Sequence, residues 1–358
     1  MNTLEKRWRN AYILPRVSVK QKEPIPVTVL TGFLGAGKTT LLNHLMTQNH
    51  GYKCAIIINE FGEVSIDNQL VSGVDEEILE LNNGCLCCRV RKDLIKSLGD
   101  LFKKQKRFDY VVIETTGLAD PGPVAQTFYL PDLRKVLRLD GIVTVVDARH
   151  IEKELAEAPE ASAQLAFADV VLLNKTDLVS SEDASRIESR IRRMNAIAKI
   201  HRTQRTRIEV GRILNVKARE LGAPLGLPDK NGRHEDQDHN HDHHDHDEEH
   251  DHDDGHQHFE SVRSFCIVEE RPLDLKKTEA WISELLGSVG ANIYRSKGIL
   301  HVKGQPKRVV FQGVQMMFDA EPDRFWNSNE KRRTQMVFIG RELDEAKIRA
   351  GFEGCLAL

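Results

Sequence analysis

PVTVLTGFLGAGKT, Pro26–Thr39, runs an apolar stretch straight into a glycine-rich loop that ends in Lys-Thr. The apolar part lacks strict polar alternation, so it predicts a strand covered on both faces. Gly32, Gly35 and Gly37 permit a tight turn that aims backbone N–H groups at phosphate oxygens, with Ala36 and Thr40 completing the loop. The N-terminus of the helix that follows adds positive potential. In this register Lys38 reaches the β- and γ-phosphates and the Thr39 hydroxyl ligates Mg²⁺. A glycine turn that binds nothing would not need Lys-Thr in register between a strand and a helix.

Working outward, Leu41, Leu42 and Leu45 mark that helix, and Gly51 lies beyond its end. Further apolar runs follow at Cys54–Ile58, Tyr110–Glu114, Gly141–Asp147 and Asp169–Asn174, separated by helical stretches. Their spacing predicts an α/β fold: a P-loop NTPase with a mostly parallel sheet and helices on both faces. A second pattern predicts strands at Val262–Val268, Gly298–Lys303, Arg308–Gln315 and Gln335–Gly340, a helix over Leu275–Leu286, and a closing helix from Asp344. This is a smaller C-terminal α+β domain. The expected organisation is an N-terminal extension (1–24), a P-loop domain (25–221), a linker (222–258) and the C-terminal domain (259–358).

NKTD at Asn174–Asp177 closes the strand DVVLLN. Guanine offers two adjacent donors, N1–H and the 2-amino group, and the Asp177 carboxylate can accept from both. Adenine would leave that carboxylate unpaired, which selects GTP over ATP. Asn174 suits a polar edge contact, and the Lys175 stem can cover the base plane. Glu114 ends another strand beside the phosphate loop, placed to act on Mg²⁺ directly or through water. A merely structural strand-end carboxylate is the bland alternative. Gly117, in the TTG that follows, lets backbone approach the γ-phosphate. NEFGEVSIDN (59–68) has the placement of a switch loop, with Glu60 and Asp67 as weak candidates for orienting water.

Three of the six cysteines fall in CLCC, at Cys85, Cys87 and Cys88. Three thiolates make a soft site for Zn²⁺ or Cu(I), with Glu63 a candidate fourth ligand. Small core residues are the alternative, and Cys54, Cys266 and Cys355 are read that way. The stretch 234–258 holds ten histidines and eleven acids and no Lys or Arg. Such a composition predicts a disordered tether. His239, His241, His243, His244, His246, His250 and His252 are weak, exchangeable metal ligands in it, or members of a plain solvated spacer. His44, His50, His150, His201 and His301 read as ordinary surface or core histidines.

The net charge of −3 hides a mildly basic body, because the tether holds much of the acid. Part of the basic excess is a helix face (Arg186, Arg190, Arg192, Arg193) without a stacking platform, so nucleic acid is not an expected partner. No apolar run approaches the ~20 residues that span a bilayer. Residues 1–24 lack the apolar core of a secretory leader; Arg7, Arg9 and Arg16 suit an organelle address, Glu5 and Glu23 do not. Clustered free thiols fit a reducing compartment, hence the cytoplasm.

GFLGAGKTTLLNHL, NEFGEVSIDN, NNGCLCC, ETTGLADP and NKTDL occur in the order found in CobW-type GTPases, and the chain resembles that family from about Pro26 to its end. FQGVQMMF and MVFIG resemble the family's C-terminal domain. The family is related to the nickel-inserting UreG and HypB proteins. The resemblance implies slow GTP hydrolysis coupled to delivery of a metal, most often Zn²⁺, to a client metalloprotein. It also implies that Cys85, Cys87 and Cys88 bind metal. Some relatives add a glutamate just before the NEFGE segment; here that position is Ile58. Two rivals remain at this stage, a metal store with incidental GTPase activity and a cobalt or nickel insertion chaperone. Nucleotide- or metal-dependent self-association is left open.

Overall fold

The computed structural model describes residues 23–59, 77–81, 94–99, 101–102, 108–218 and 262–357, with backbone only at 59 and 77–81. Among these residues seven strands form the first sheet: β1 (Ile25–Gly32), β2 (Cys54–Asn59), β3 (Glu77–Leu81), β4 (Tyr110–Glu114), β5 (Leu137–Asp147), β6 (Val170–Asn174) and β7 (Lys199–Arg202). Their order is β3-β2-β4-β1-β5-β6-β7, and every pairing is parallel.

Parallel strands need long crossovers, and helices supply them on both faces. On one face α1 (Lys38–Thr47) buries Leu41, Leu42 and Leu45 against Leu30, Ile56, Val112 and Leu172. On the other, Leu94, Leu98 and Leu101 pack with Val29, Ile57, Val111 and Phe167. Each fully buried leucine contributes roughly 1.5–3 kcal/mol by transfer from water. The further α-helices among the described residues of this half are α2 (Gly122–Thr127), α3 (Ile151–Glu157), α4 (Pro159–Phe167) and α5 (Ser181–Met194).

The second sheet is antiparallel: β8 (Val262–Glu269), β9 (Ile293–Leu300), β10 (Lys307–Val314), β11 (Met317–Phe325) and β12 (Thr334–Arg341), in the order β11-β10-β9-β12-β8. Helices α6 (Leu275–Val289) and α7 (Glu345–Glu353) cover it through Ile282, Leu286 and Phe352. Asp274 and Asp344 cap them, each accepting a backbone N–H three residues on. The α+β expectation holds, with shifted bounds. The strand expected from Gly298 begins at Ile293. Three strands were not expected. β11 is an edge strand carrying Pro322 and alternating acids, which tolerates a sequence that does not read as a strand. β3 and β7 are short outer strands of the parallel sheet.

The two sheets share core. Val262, Val337 and Ile339 join Ile187, Ile191 and Met194 of α5 in one cluster. The Phe167 ring lies 5.3 Å from that of Tyr294. At the centre of this seam Asp169 accepts from Arg295 Nη2 (2.7 Å) and Lys297 Nζ. All three side chains are buried. Burial pushes the Asp169 carboxyl up, but Arg295 and Lys297 outweigh it and hold it below its ordinary value.

Candidate functional site

Because the strands are parallel, their C-terminal ends share one edge. Register puts Leu30 beside Glu114, Gly32 beside Val145, and Asp147 beside Asn174. The glycine loop therefore emerges between the ends of β4 and β5, the topological place for a ligand. Gly32 ends β1, and Gly35 lies exposed in the turn. Helix α1 starts at Lys38 with no side-chain cap and no acid in its first turn. Its first N–H groups thus face the loop with no acid of their own turn competing for them.

Gly37 shows why glycine stands there. Its φ is +114°, and a Cβ would lie 2.8 Å from Asn174 Nδ2. Asn174 Nδ2 donates to the Ala36 carbonyl (2.9 Å). Its Oδ1 accepts from Thr206 N (2.9 Å) and Thr203 Oγ1 (3.2 Å). One buried amide thus ties three loops together. Lys175 follows with φ +60°, and its Nζ donates to Asp147 Oδ2 at 2.7 Å. Thr176 donates from its hydroxyl to the Thr203 carbonyl. Asp177 sits exposed in a short turn, Thr176–Leu178.

On the phosphate side, buried Lys38 donates to the carbonyls of Gly32 (2.9 Å) and Phe33 (3.2 Å). Thr39 Oγ1 reaches Glu114 Oε1 at 3.5 Å, and Thr40 is exposed on the next position. A hydroxyl and a buried carboxylate are hard oxygen donors, a set that fits Mg²⁺. Gly117 comes so near the loop that a Cβ would lie 2.8 Å from Leu34 N. Gln164 of α4 donates to the Gly117 and Ala119 carbonyls (3.0 and 3.1 Å), pinning this segment from behind.

Asp147, Glu154, Gln164, Thr203 and Thr206 escaped sequence reading. Asp147 carried the same signal as Glu114, an acid closing an apolar strand. Gln164 carried none, because an amide within a helix announces no partner. His150, read as ordinary, donates from Nδ1 to Asp147 Oδ2 (2.8 Å) and so belongs to this edge. Glu154 of α3 is buried beside it; desolvation first, then the Asp147 charge, pushes its carboxyl up to about 7.

Cys85, Cys87, Cys88, Glu63, Glu60, Asp67 and His239, His241, His243, His244, His246, His250 and His252 lie outside the described residues. Among the described residues no group of three metal-ligating side chains forms. Cys54 and Cys355 are buried and Cys266 partly so, and burial pushes the Cys266 thiol up to about 12. These three match the core reading. No described helix is long and apolar enough to cross a membrane.

The model of the CobW/HypB/UreG nucleotide-binding domain matches residues 26–202, and that of the cobalamin synthesis protein cobW C-terminal domain matches 262–356. The zinc chaperone YjiA of Escherichia coli is 38% identical over 336 residues, spanning 92% of this chain and 98% of that protein. The zinc-regulated GTPase metalloprotein activator 1 of Schizosaccharomyces pombe is 36% identical over 351 residues, 90% and 83% of the two chains. Among solved structures, Zn(II)-bound YjiA GTPase from E. coli superposes with a TM-score of 0.68 at 32% identity, covering 94% of this chain and all of that one.

Proposed function

Because this chain belongs to the CobW/HypB/UreG family and carries the CobW-type C-terminal domain, we propose that it is a cytoplasmic GTPase that couples GTP binding and hydrolysis to delivery of Zn²⁺ to a client metalloprotein. One observation carries the nucleotide half: Asn174 bonds at once to the phosphate loop at Ala36 and to the Thr203–Thr206 turn. That clamp holds the NKTD turn, with Asp177 open to solvent, at a fixed distance from the loop. In this reading Asp177 takes the two guanine donors. Lys38 would exchange its two loop carbonyls for β/γ-phosphate oxygens, and Thr39 with Glu114 would hold Mg²⁺, which would supply charge neutralisation at the phosphates. Gly117 brings a backbone N–H near the γ-phosphate.

The zinc half is supported by the zinc-named relatives and by CLCC, with Cys85, Cys87 and Cys88 as the cargo thiolates. The histidine tract would collect metal for them. The test is a pair of competitions on the purified protein, GTP against ATP and Zn²⁺ against Co²⁺ and Ni²⁺, each with and without a non-hydrolysable GTP analogue. The expected result is GTP preference with Zn²⁺ retention that depends on nucleotide. Retention indifferent to nucleotide would make this a metal store, and equal affinity for ATP would overturn the base assignment.

A further inference from the structure

Asp147 closes β5 directly opposite Asn174 on β6. Its carboxylate is almost wholly buried, and three donors converge on it. Arg149 N donates to Oδ1 at 2.9 Å. His150 Nδ1 and Lys175 Nζ both meet Oδ2, at 2.8 and 2.7 Å. Burial alone would raise this carboxyl. The bonds from Lys175, His150 and Arg149 outweigh it and keep it below its ordinary range, so the anion persists at neutral pH.

Lys175 is the residue that needs such an anchor. Its backbone adopts φ +60°, a region that L side chains rarely enter and that packing must hold in place. A free lysine stem would also sample many rotamers at the sheet edge. Anchoring Nζ on the neighbouring strand end draws the methylenes across the gap between β6 and β5, about 4.8 Å in a sheet. We propose that Asp147 is a positioning residue for the nucleotide base: it stretches the Lys175 stem along the strand ends as a preformed apolar ledge for the ring. The assignment rests on the GTP reading of the NKTD turn and extends it to a residue outside that motif. A ledge already in place spares the ordering cost that binding would otherwise impose. It also divides the labour: Asp177 selects the base, and Asp147 through Lys175 holds whichever base is selected.

The test is a nucleotide-binding cycle on the full chain, with Asp147→Asn, Lys175→Met and the double variant, read with fluorescent GDP and by competition with GTP, ITP and ATP. Asp147→Asn keeps the size of the side chain and removes its charge. It should weaken GDP and GTP roughly tenfold. Discrimination of GTP over ITP should stay within about twofold, and kcat at saturating GTP should fall less than about threefold. In the Lys175→Met background the Asp147→Asn change should add less than about twofold, because the two residues act as one unit. A merely structural role would instead move kcat and stability without this coupling. Undiminished GDP affinity in Asp147→Asn, or a full effect persisting beside Lys175→Met, overturns the proposal alone. Equal affinity of the unmodified protein for GTP and ATP overturns the base assignment and the proposal with it. Should Asp147→Asn fail to fold, the Lys175 ammonium ¹⁵N resonance of the unmodified protein decides, identified by its loss in Lys175→Met. A proton-protected signal in both the nucleotide-free and GDP-bound protein supports the anchor; rapid exchange in both overturns it.

Discussion

Changing Asp169 to Asn would remove the carboxylate charge from the seam between the two sheets while keeping an oxygen for Ile142 N, which donates to Oδ2 at 2.9 Å. What it strands is charge. Arg295 and Lys297 side chains are 3% and 7% exposed, and both meet Asp169 Oδ1. Among the described residues Arg295 Nε and Nη1 have no hydrogen-bond partner, so none of these offers the guanidinium a second anchor. At an effective dielectric of 20, unit charges about 4 Å apart attract by about 4 kcal/mol. Two such attractions are lost, while the mutual repulsion of the two cations stays. Relaxation and water entry recover part of this, and breaking a buried pair from one side costs about 3–5 kcal/mol. Urea unfolding followed by tryptophan emission, with Trp281 and Trp326 both on the C-terminal side, reads it. With a slope of about 3 kcal/mol per molar, the midpoint should fall by about 1–1.7 M. Adding Lys297→Met should restore part of the loss. The carboxyl is depressed in the folded state, so its contribution is full above the ordinary carboxylate value and lost as pH falls through the depressed one. The gap between variant and unmodified protein should therefore close in acid. A loss under about 1 kcal/mol at pH 7, or a gap that does not narrow in acid, would refute the reasoning.

Other outcomes follow from the site. Glu154 is raised to about 7, so the folded protein binds more protons than the unfolded chain between the ordinary value and 7, and stability falls as pH rises through that window. Glu154→Gln should flatten that slope, gaining on the order of 2 kcal/mol at pH 8, seen as a higher melting temperature there and not at pH 5. Gln164→Ala frees the Gly117 and Ala119 carbonyls; steady-state phosphate release should drop roughly threefold to tenfold with GDP affinity unchanged. Replacing Cys85, Cys87 and Cys88 together by Ser, in protein lacking 234–258, should abolish tight Zn²⁺ binding in chelator competition. Stoichiometric Zn²⁺ surviving there would leave those cysteines as packing.

Much of this was legible in advance because the informative chemistry is local. GFLGAGKT specifies its own turn, and unbroken apolar runs such as YVVIE announce a sheet covered on both faces. Glu114 and Asn174 were readable as strand-end polar residues. The rest was not, for physical reasons. Gln164 acts through a contact 47 residues away in sequence, and Asp169 looked like the polar start of a strand until β9 placed two cations on it. β11 was invisible because its alternating acids Asp319, Glu321 and Asp323 do not read as a strand, and the arginines that pair with them, Arg134 and Arg308, lie outside it in sequence. Partners that are distant in sequence leave no periodic trace.

The shared seam bears on how this chain could be cut. The two matching family models stop at 202 and resume at 262, as though the halves were separable parts. Yet Val262, Val337 and Ile339 are buried against α5, and the anion that balances Arg295 and Lys297 belongs to the first sheet. A C-terminal fragment expressed by itself would show water an apolar strip with two cations set in it, and the complementary fragment would show the matching face with a lone aspartate. Each raw face invites association with whatever is nearby. The modular look of the sequence thus overstates the autonomy of its pieces, and fragments divided between 218 and 262 would be expected to find each other in solution.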